Sequence, residues 1–232
     1  YVGAAWYRTT FERDEAVGES VCWELTLKGV RWTSEAWVNG VYTGMQDSLS
    51  APHVHKLDGA ALSSGANELL LRIDNRMRLP LADSHIHTRH TATEWGGITG
   101  GATLSALPRL RIAQLAVTPD VEAGAFHCRV KLNGAAGLAA LADAKHALLA
   151  RFRAPDGRVS EAEASCDGET VSWTCPLGSE PALWSDANPQ LYESEILLQH
   201  EGDIVDRQTR RVGLRQLRAS GKRLLLDGQP AF

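Results

Sequence analysis

Apolar and polar residues alternate with a period of two through most of the chain, in short runs broken by turn residues. That pattern predicts an all-β protein. Val21 to Leu27 alternates as a half-buried strand does. Glu35 to Val38 and Val41 to Thr43 flank Asn39-Gly40, a pair suited to the positive φ angles of a type I′ hairpin turn. Glu68 to Ile73 is rich in Leu and Ile and ends at Asp74-Asn75, and Leu104 to Pro108 closes this first block. From Arg109 onward the strand candidates become regular: Leu110 to Thr118, Ala125 to Leu132, His146 to Arg153, Val159 to Ala164, Thr170 to Thr174, Leu191 to His200 and Ile204 to Val212. Seven short strands over about 100 residues fit an immunoglobulin-like sandwich. Ala135 to Ala150 stands apart, because its alanine content favours helix; its first half reads as a loop or short helical turn and its end as a strand. No repeat, low-complexity tract or Gly/Ser linker separates the two blocks, and the boundary falls near Pro108.

Composition narrows the function classes. The 232 residues hold 24 Lys and Arg against 28 Asp and Glu, so the chain lacks the basic footprint that phosphate neutralisation requires, and no nucleic-acid partner is expected. At 44% hydrophobic and 22% charged the sequence is that of a globular protein. It contains no run near the roughly 18 apolar residues of a membrane-spanning helix, so no membrane partner is expected either. Tyr1 is not an initiator methionine, and Arg223 to Phe232 reads as a strand, a tight turn and an unfinished strand, as expected of a piece of something longer. The four cysteines have no C-x-x-C spacing. Cys166 and Cys175 flank a hairpin-like segment, which leaves a bridge or two free thiols both open, and with them the compartment, bacterial-type cytoplasmic or periplasmic and secreted.

Several constellations invite a chemical reading. His53-Val54-His55 and His85-Ile86-His87 are H-x-H pairs, followed by His90, and on a strand each pair shares one face. A metal-dependent β-sandwich enzyme of the cupin kind would need a carboxylate close behind; Asp58 follows the first pair and nothing equivalent follows the second. Buried or surface hydrogen bonding is the commoner use of such histidines, and no metal or other cofactor is expected. Glycosidic cleavage needs two carboxylates across a pocket. Asp14-Glu15, Glu161 with Glu163, and Glu193 with Glu195 all sit in water-facing contexts, without the apolar setting that raises a carboxyl pKa. There is no nucleophile elbow and no phosphate loop, and Gly96-Gly97-Ile98-Thr99-Gly100-Gly101 suits close backbone packing better than a dinucleotide. Among the tryptophans, Trp23 and Trp37 alternate with apolar residues and read as core, whereas Trp95 lies in a polar, His- and Gly-rich stretch and reads as a sugar-stacking candidate.

The order of landmarks resembles glycoside hydrolase family 2, the β-galactosidase, β-glucuronidase and β-mannosidase group. The matching pieces are Trp6-Tyr7-Arg8 with Phe11; Ala36-Trp37-Val38-Asn39-Gly40 with Gly44; Gly65-Ala66-Asn67-Glu68-Leu69 leading to Ile73-Asp74-Asn75; and Trp95-Gly96-Gly97-Ile98. Further along come Leu183-Trp184-Ser185, Asn188-Pro189, Leu191-Tyr192, Val212-Gly213-Leu214-Arg215, and Leu224 to Pro230, with Asp227 where the family has Asn. The resemblance implies a jelly-roll (galactose-binding-like) sandwich over 1–108, an immunoglobulin-like sandwich over 109–216, and the start of a truncated (β/α)8 barrel over 217–232. It places the family's catalytic glutamates beyond Phe232. The chain alone is then expected to be inactive, with no catalytic residue of its own and retaining hydrolysis belonging to the full-length enzyme. The aspartate that often reaches the sugar in this family is replaced by Thr91. His85, His90, Thr91 and Trp95 are the carbohydrate-binding candidates, and the implied partners are carbohydrate, the chain's own C-terminal catalytic barrel, and a second copy in a homo-oligomer. Two rival functions remain: a free-standing carbohydrate-binding module and the metal-binding β-sandwich enzyme.

Overall fold

A computed structural model describes residues 1–13, 21–57, 62–76, 96–133 and 146–230, and the chain divides into two compact units, 1–108 and 109–232. Every regular element among the described residues is a strand.

The first unit contains β1 (Ala4–Arg13), β2 (Val21–Leu27), β3 (Val30–Arg31), β4 (Thr33–Val38), β5 (Val41–Asp47), β6 (His53–Leu57), β7 (Gly65–Asp74), β8 (Gly97–Ile98) and β9 (Ala102–Pro108). Two sheets, ordered β1-β7-β4-β5 and β6-β2-β9, form a sandwich with a short β3-β8 pair. All pairings are antiparallel, so each strand can bury one face and wet the other. The inward set is Trp23, Leu25 and Leu27 from β2, Ala36 and Val38 from β4, and Leu69, Leu71 and Ile73 from β7. At Asn39 (φ 49°) and Gly40 (φ 79°) the chain reverses between β4 and β5 with the backbone that Asn-Gly favours.

The second unit contains β10 (Ile112–Asp120), β11 (Ala125–Leu132), β12 (His146–Arg153), β13 (Val159–Ser165), β14 (Thr170–Pro176), β15 (Tyr192–His200) and β16 (Asp203–Val212), followed by β17 (Leu217–Ser220), β18 (Arg223–Leu226) and β19 (Gln229–Pro230). Sheets β10-β11-β14 and β13-β12-β15-β16 enclose the core, and β17-β18-β19 form a small separate meander. The seven strands in sheets of three and four are those of an immunoglobulin-like sandwich. Phe126 stacks on Phe152 at 4.6 Å between centroids and meets Tyr192 edge-on at 5.4 Å. The Tyr192 hydroxyl accepts the backbone N–H of Ala182 at 2.7 Å, a tyrosine corner that ties the start of β15 to the chain upstream.

The motif around Trp184 has a packing cause. A Cβ on Gly213 would lie 3.0 Å from Trp184 Cβ and Cγ, so any larger residue would push the indole off that backbone by a few tenths of an ångström. Arg215 covers the ring at 4.4 Å, and the Trp184 backbone N–H donates to Leu214 O. Ser185 and Asn188 close the adjoining turn on each other through two backbone N–H donations, Ser185 N to Asn188 O and Asn188 N to Ser185 Oγ. Asp227 holds φ 49°, and its carboxylate and amide both bond Gln216. The substitution for Asn therefore costs the turn nothing visible. The cysteines are free thiols; the Cys166–Cys175 bridge left open by the sequence is not formed.

Candidate functional site

His85, His90, Thr91 and Trp95 all lie outside the described residues, as do Asp14, Glu15, Asp58 and His87. The described residues show the platform on either side of 77–95. On one side is the end of β7. Asp74 accepts from Arg72 Nη2 at 3.1 Å and from Arg76 through Nε, Nη2 and its backbone N–H. The Arg76 side-chain bonds are the main reason its carboxyl is held down to about 2, with Arg72 adding charge. Ionised and fully engaged, Asp74 is a clamp and not a proton donor.

Asn75 does a different job. Its Oδ1 accepts from Gly3 N at 2.8 Å and its Nδ2 donates to Tyr1 O at 2.9 Å, pinning the first residues of the chain to the exit of β7. On the return side, a Cβ on Gly96 would come within 2.8 Å of Asn75 Nδ2, and one on Gly97 (φ +88°) within 2.6 Å of the Tyr7 hydroxyl. A side chain at either glycine would displace Asn75 or Tyr7, and Gly97 also holds a φ that other residues rarely adopt, as the close-packing reading of this glycine run expects. Beneath, Trp32 is buried, its backbone N–H donates to Asp74 O at 2.7 Å, and the peptide bond before it is cis.

The first H-x-H pair is internal. His53 and His55 point inward from β6 and meet Ser34 on β4, in the opposite sheet, at 2.7 Å and 2.8 Å. His53 Nε2 also lies 2.9 Å from Ser48 O and 3.1 Å from Ser48 N, whose N–H has Trp32 O at 3.4 Å as its other acceptor. One proton arrangement leaves no buried donor idle. His55 Nε2–H donates to Ser34 Oγ, Ser34 O–H donates to His53 Nδ1, and His53 Nε2–H donates to Ser48 O. Only the lone pair of His55 Nδ1 is then unpaired, which costs less than an orphaned N–H. Burial, with His53 nearby, pushes the His55 pKa down to about 4, so the ring is neutral at pH 7. The rings are committed to hydroxyl and carbonyl partners, and among the described residues no group of three His, Cys, Asp or Glu side chains is placed to hold a metal ion.

The carboxylate pairs of the second unit face water, as their context suggested. Glu161 and Glu195 both bind Arg151, at 2.5 and 2.9 Å, and Arg207 reaches Glu195 at 3.3 Å. On the opposite sheet His127 bridges Asp120 (3.0 Å) and Thr174 (2.8 Å).

The structure corrects the reading of Trp37 as core. It points to the outer face of β4, between Trp6 at 5.4 Å and Tyr42 at 5.2 Å between ring centroids, with Trp6 57% and Tyr42 50% exposed. Trp23 is in the core, as read. Strict alternation along β4 separates Trp37, on the face of Glu35, from the buried Ala36 and Val38; the core reading followed its apolar neighbours instead.

Comparison with known proteins agrees with this architecture. Residues 110–215 match the family described as Glycosyl hydrolases family 2. The chain is 27% identical over 233 residues to a beta-galactosidase of Enterobacter cloacae, covering 97% of this chain and 22% of that protein. It is 23% identical to a putative beta-glucuronidase of Formosa agariphila, covering 97% and 27%. Among solved structures, a glycosyl hydrolase family 2 member from Bacteroides cellulosilyticus superposes with a TM-score of 0.76 at 20% identity, over 99% of this chain and 31% of the other. A b-glucuronidase from Ruminococcus gnavus gives 0.74 at 18%, over 99% and 38%. The chain thus spans about a quarter of the length of these two curated relatives.

Proposed function

We propose that the chain is an N-terminal region of a glycosyl hydrolase family 2 enzyme, and that the natural polypeptide containing it is a retaining β-glycosidase for galactoside- or glucuronide-type substrates. In that enzyme these two sandwiches are the non-catalytic scaffold, and the segment bearing His85, His90, Thr91 and Trp95 walls part of the active site. The observation that carries the reading is the match along 97% of this chain to enzymes named for those two sugars. The Asp74-Asn75 clamp and the Gly96-Gly97 contact support the second half, because they fix the two points between which residues 77–95 run. Among the described carboxylates of the second unit, Glu161 and Glu195 are both engaged by Arg151.

The test is hydrolysis of p-nitrophenyl β-D-galactoside and β-D-glucuronide by the natural polypeptide and by the 232-residue chain. Turnover is expected from the former and none from the latter. Absence of turnover from the natural polypeptide on both substrates, or turnover by the 232-residue chain, overturns the proposal. For the wall, His90→Ala and Trp95→Ala are each expected to lower kcat/KM at least tenfold, and unchanged values would remove these residues from the site.

A further inference from the structure

We propose that the outer face of sheet β1-β7-β4-β5 is a second carbohydrate site that holds a neutral β-linked polysaccharide chain along the Trp6–Trp37–Tyr42 strip. The proposal rests on the reading above that the natural polypeptide processes carbohydrate, and extends it to a surface outside the 77–95 segment.

The strip is built by register. Trp6 lies opposite Arg72, which lies opposite Glu35, which lies opposite Met45; the next row is Arg8, Leu70, Trp37 and Tyr42. Three aromatic rings in two adjacent rows touch in sequence, at 5.4 and 5.2 Å, and the two outer ones are at least half exposed. Single exposed apolar residues need no explanation, but a contiguous strip of two indoles and a phenol is an apolar patch of the kind that marks a binding surface.

Charge selects the occupant. Each formal charge beside the rings is closed by a neighbour: Arg72 with Glu35 at 2.6 Å and with Asp74, and Arg8 with Glu68. At Arg8, Glu68, Arg72 and Glu35 the face therefore presents apolar ring surface bordered by donors and acceptors whose charges compensate one another. That combination is complementary to a pyranose chain, which has C–H faces to lay on the rings and hydroxyls for the guanidinium and carboxylate edges. It is poorly suited to an acidic or basic peptide, which would find no unpaired counter-charge. β4 is paired on both sides and holds Trp37 in place, with Trp6 and Tyr42 packed against it from the edge strands β1 and β5. Three rings in an unbroken row, tilted 37° and 48° to one another, offer successive contacts to an extended polymer and no enclosed pocket for a single sugar.

Affinity electrophoresis of the 232-residue chain in native gels tests this, with hydroxyethylcellulose, β-1,4-galactan or galactomannan cast into the gel. Retardation is expected with at least one polymer, falling at least tenfold in Trp6→Ala and in Tyr42→Ala. It is expected to persist in Trp6→Phe, which keeps a ring in place, and in Ile204→Ala, an exposed apolar control in the other unit. No retardation with any polymer overturns the proposal, and so does retardation that Trp6→Ala and Tyr42→Ala leave unchanged. Thermal melts establish that both alanine variants are folded, and since each side chain is half exposed or more, folding is expected to survive. Migration is read without turnover, so this surface can fail while the hydrolase reading stands, and the reverse.

Discussion

Acid should weaken the first unit in a window set by one buried ring. His55 is 1% exposed, and its pKa falls from 6.5 to about 4 because burial disfavours the charged form. The sign follows from which state takes the proton first. As pH drops through 6.5 the unfolded chain protonates His55 while the folded chain does not, so stability is full above that value and lost toward pH 4. At about 1.4 kcal/mol per pKa unit, the loss is roughly 3 kcal/mol by pH 4. That is a large share of the 5–15 kcal/mol typical of a domain. Asp74 does not blur the window, since its carboxyl is held at about 2 and its contribution disappears only below about pH 4. Hydrogen exchange by mass spectrometry on peptides covering β2 and β6, corrected for intrinsic rates, reads the opening free energy of this unit alone. His55→Gln, which keeps a donor toward Ser34, is expected to flatten the slope between pH 6.5 and 4.5. A wild-type change under about 1 kcal/mol across that range, or a slope that survives in His55→Gln, refutes the reasoning.

Other expectations follow from particular contacts. Ser34→Ala breaks both inter-sheet bonds and strands two buried imidazoles, for a loss of about 2–4 kcal/mol in chemical denaturation of the first unit. Gly97→Ala meets the Tyr7 hydroxyl at 2.6 Å and sits at φ +88°; about 2 kcal/mol should be lost, and adding Tyr7→Phe should recover only the steric part. Tyr192→Phe leaves the Ala182 N–H without its acceptor and should cost about 1–3 kcal/mol in urea melts of the second unit. Phe126→Ala, at the centre of the ring cluster, should cost about 3–5 kcal/mol by the same measurement.

How much of this was legible in the residues depended on the kind of information. Where one face is dry and the other wet, alternation carries the strand: Val21–Leu27, Ala125–Leu132 and His146–Arg153 have the bounds the pattern gives. Ends set by side chains escaped it. β10 starts at Ile112, two residues after the apolar run begins, because the Arg111 N–H is taken by Asn133 Oδ1. The Glu201-Gly202 turn uses the same positive-φ pair as Asn39-Gly40, but Glu does not advertise it. Inward polar residues were the hardest. Nothing near His53 and His55 in sequence reveals that Ser34, on a strand of the other sheet, receives both rings. The glycines of 96–97 could be read as close packing, but the atoms they make room for, from Asn75 and Tyr7, are set by tertiary structure.

The free thiols of the second unit also make a clock. Burial, with Cys175 beside it, pushes the Cys128 pKa to about 12, while Cys166 and Cys175 sit near 11. At pH 8 a native Cys128 is ionised about once in 10⁴ molecules, whereas an unfolded thiol is ionised in roughly one in ten. Alkylating reagents that attack thiolates will therefore mark this sandwich almost only while it is open. The rate of labelling, residue by residue, would time the breathing of the immunoglobulin-like unit without any engineered probe.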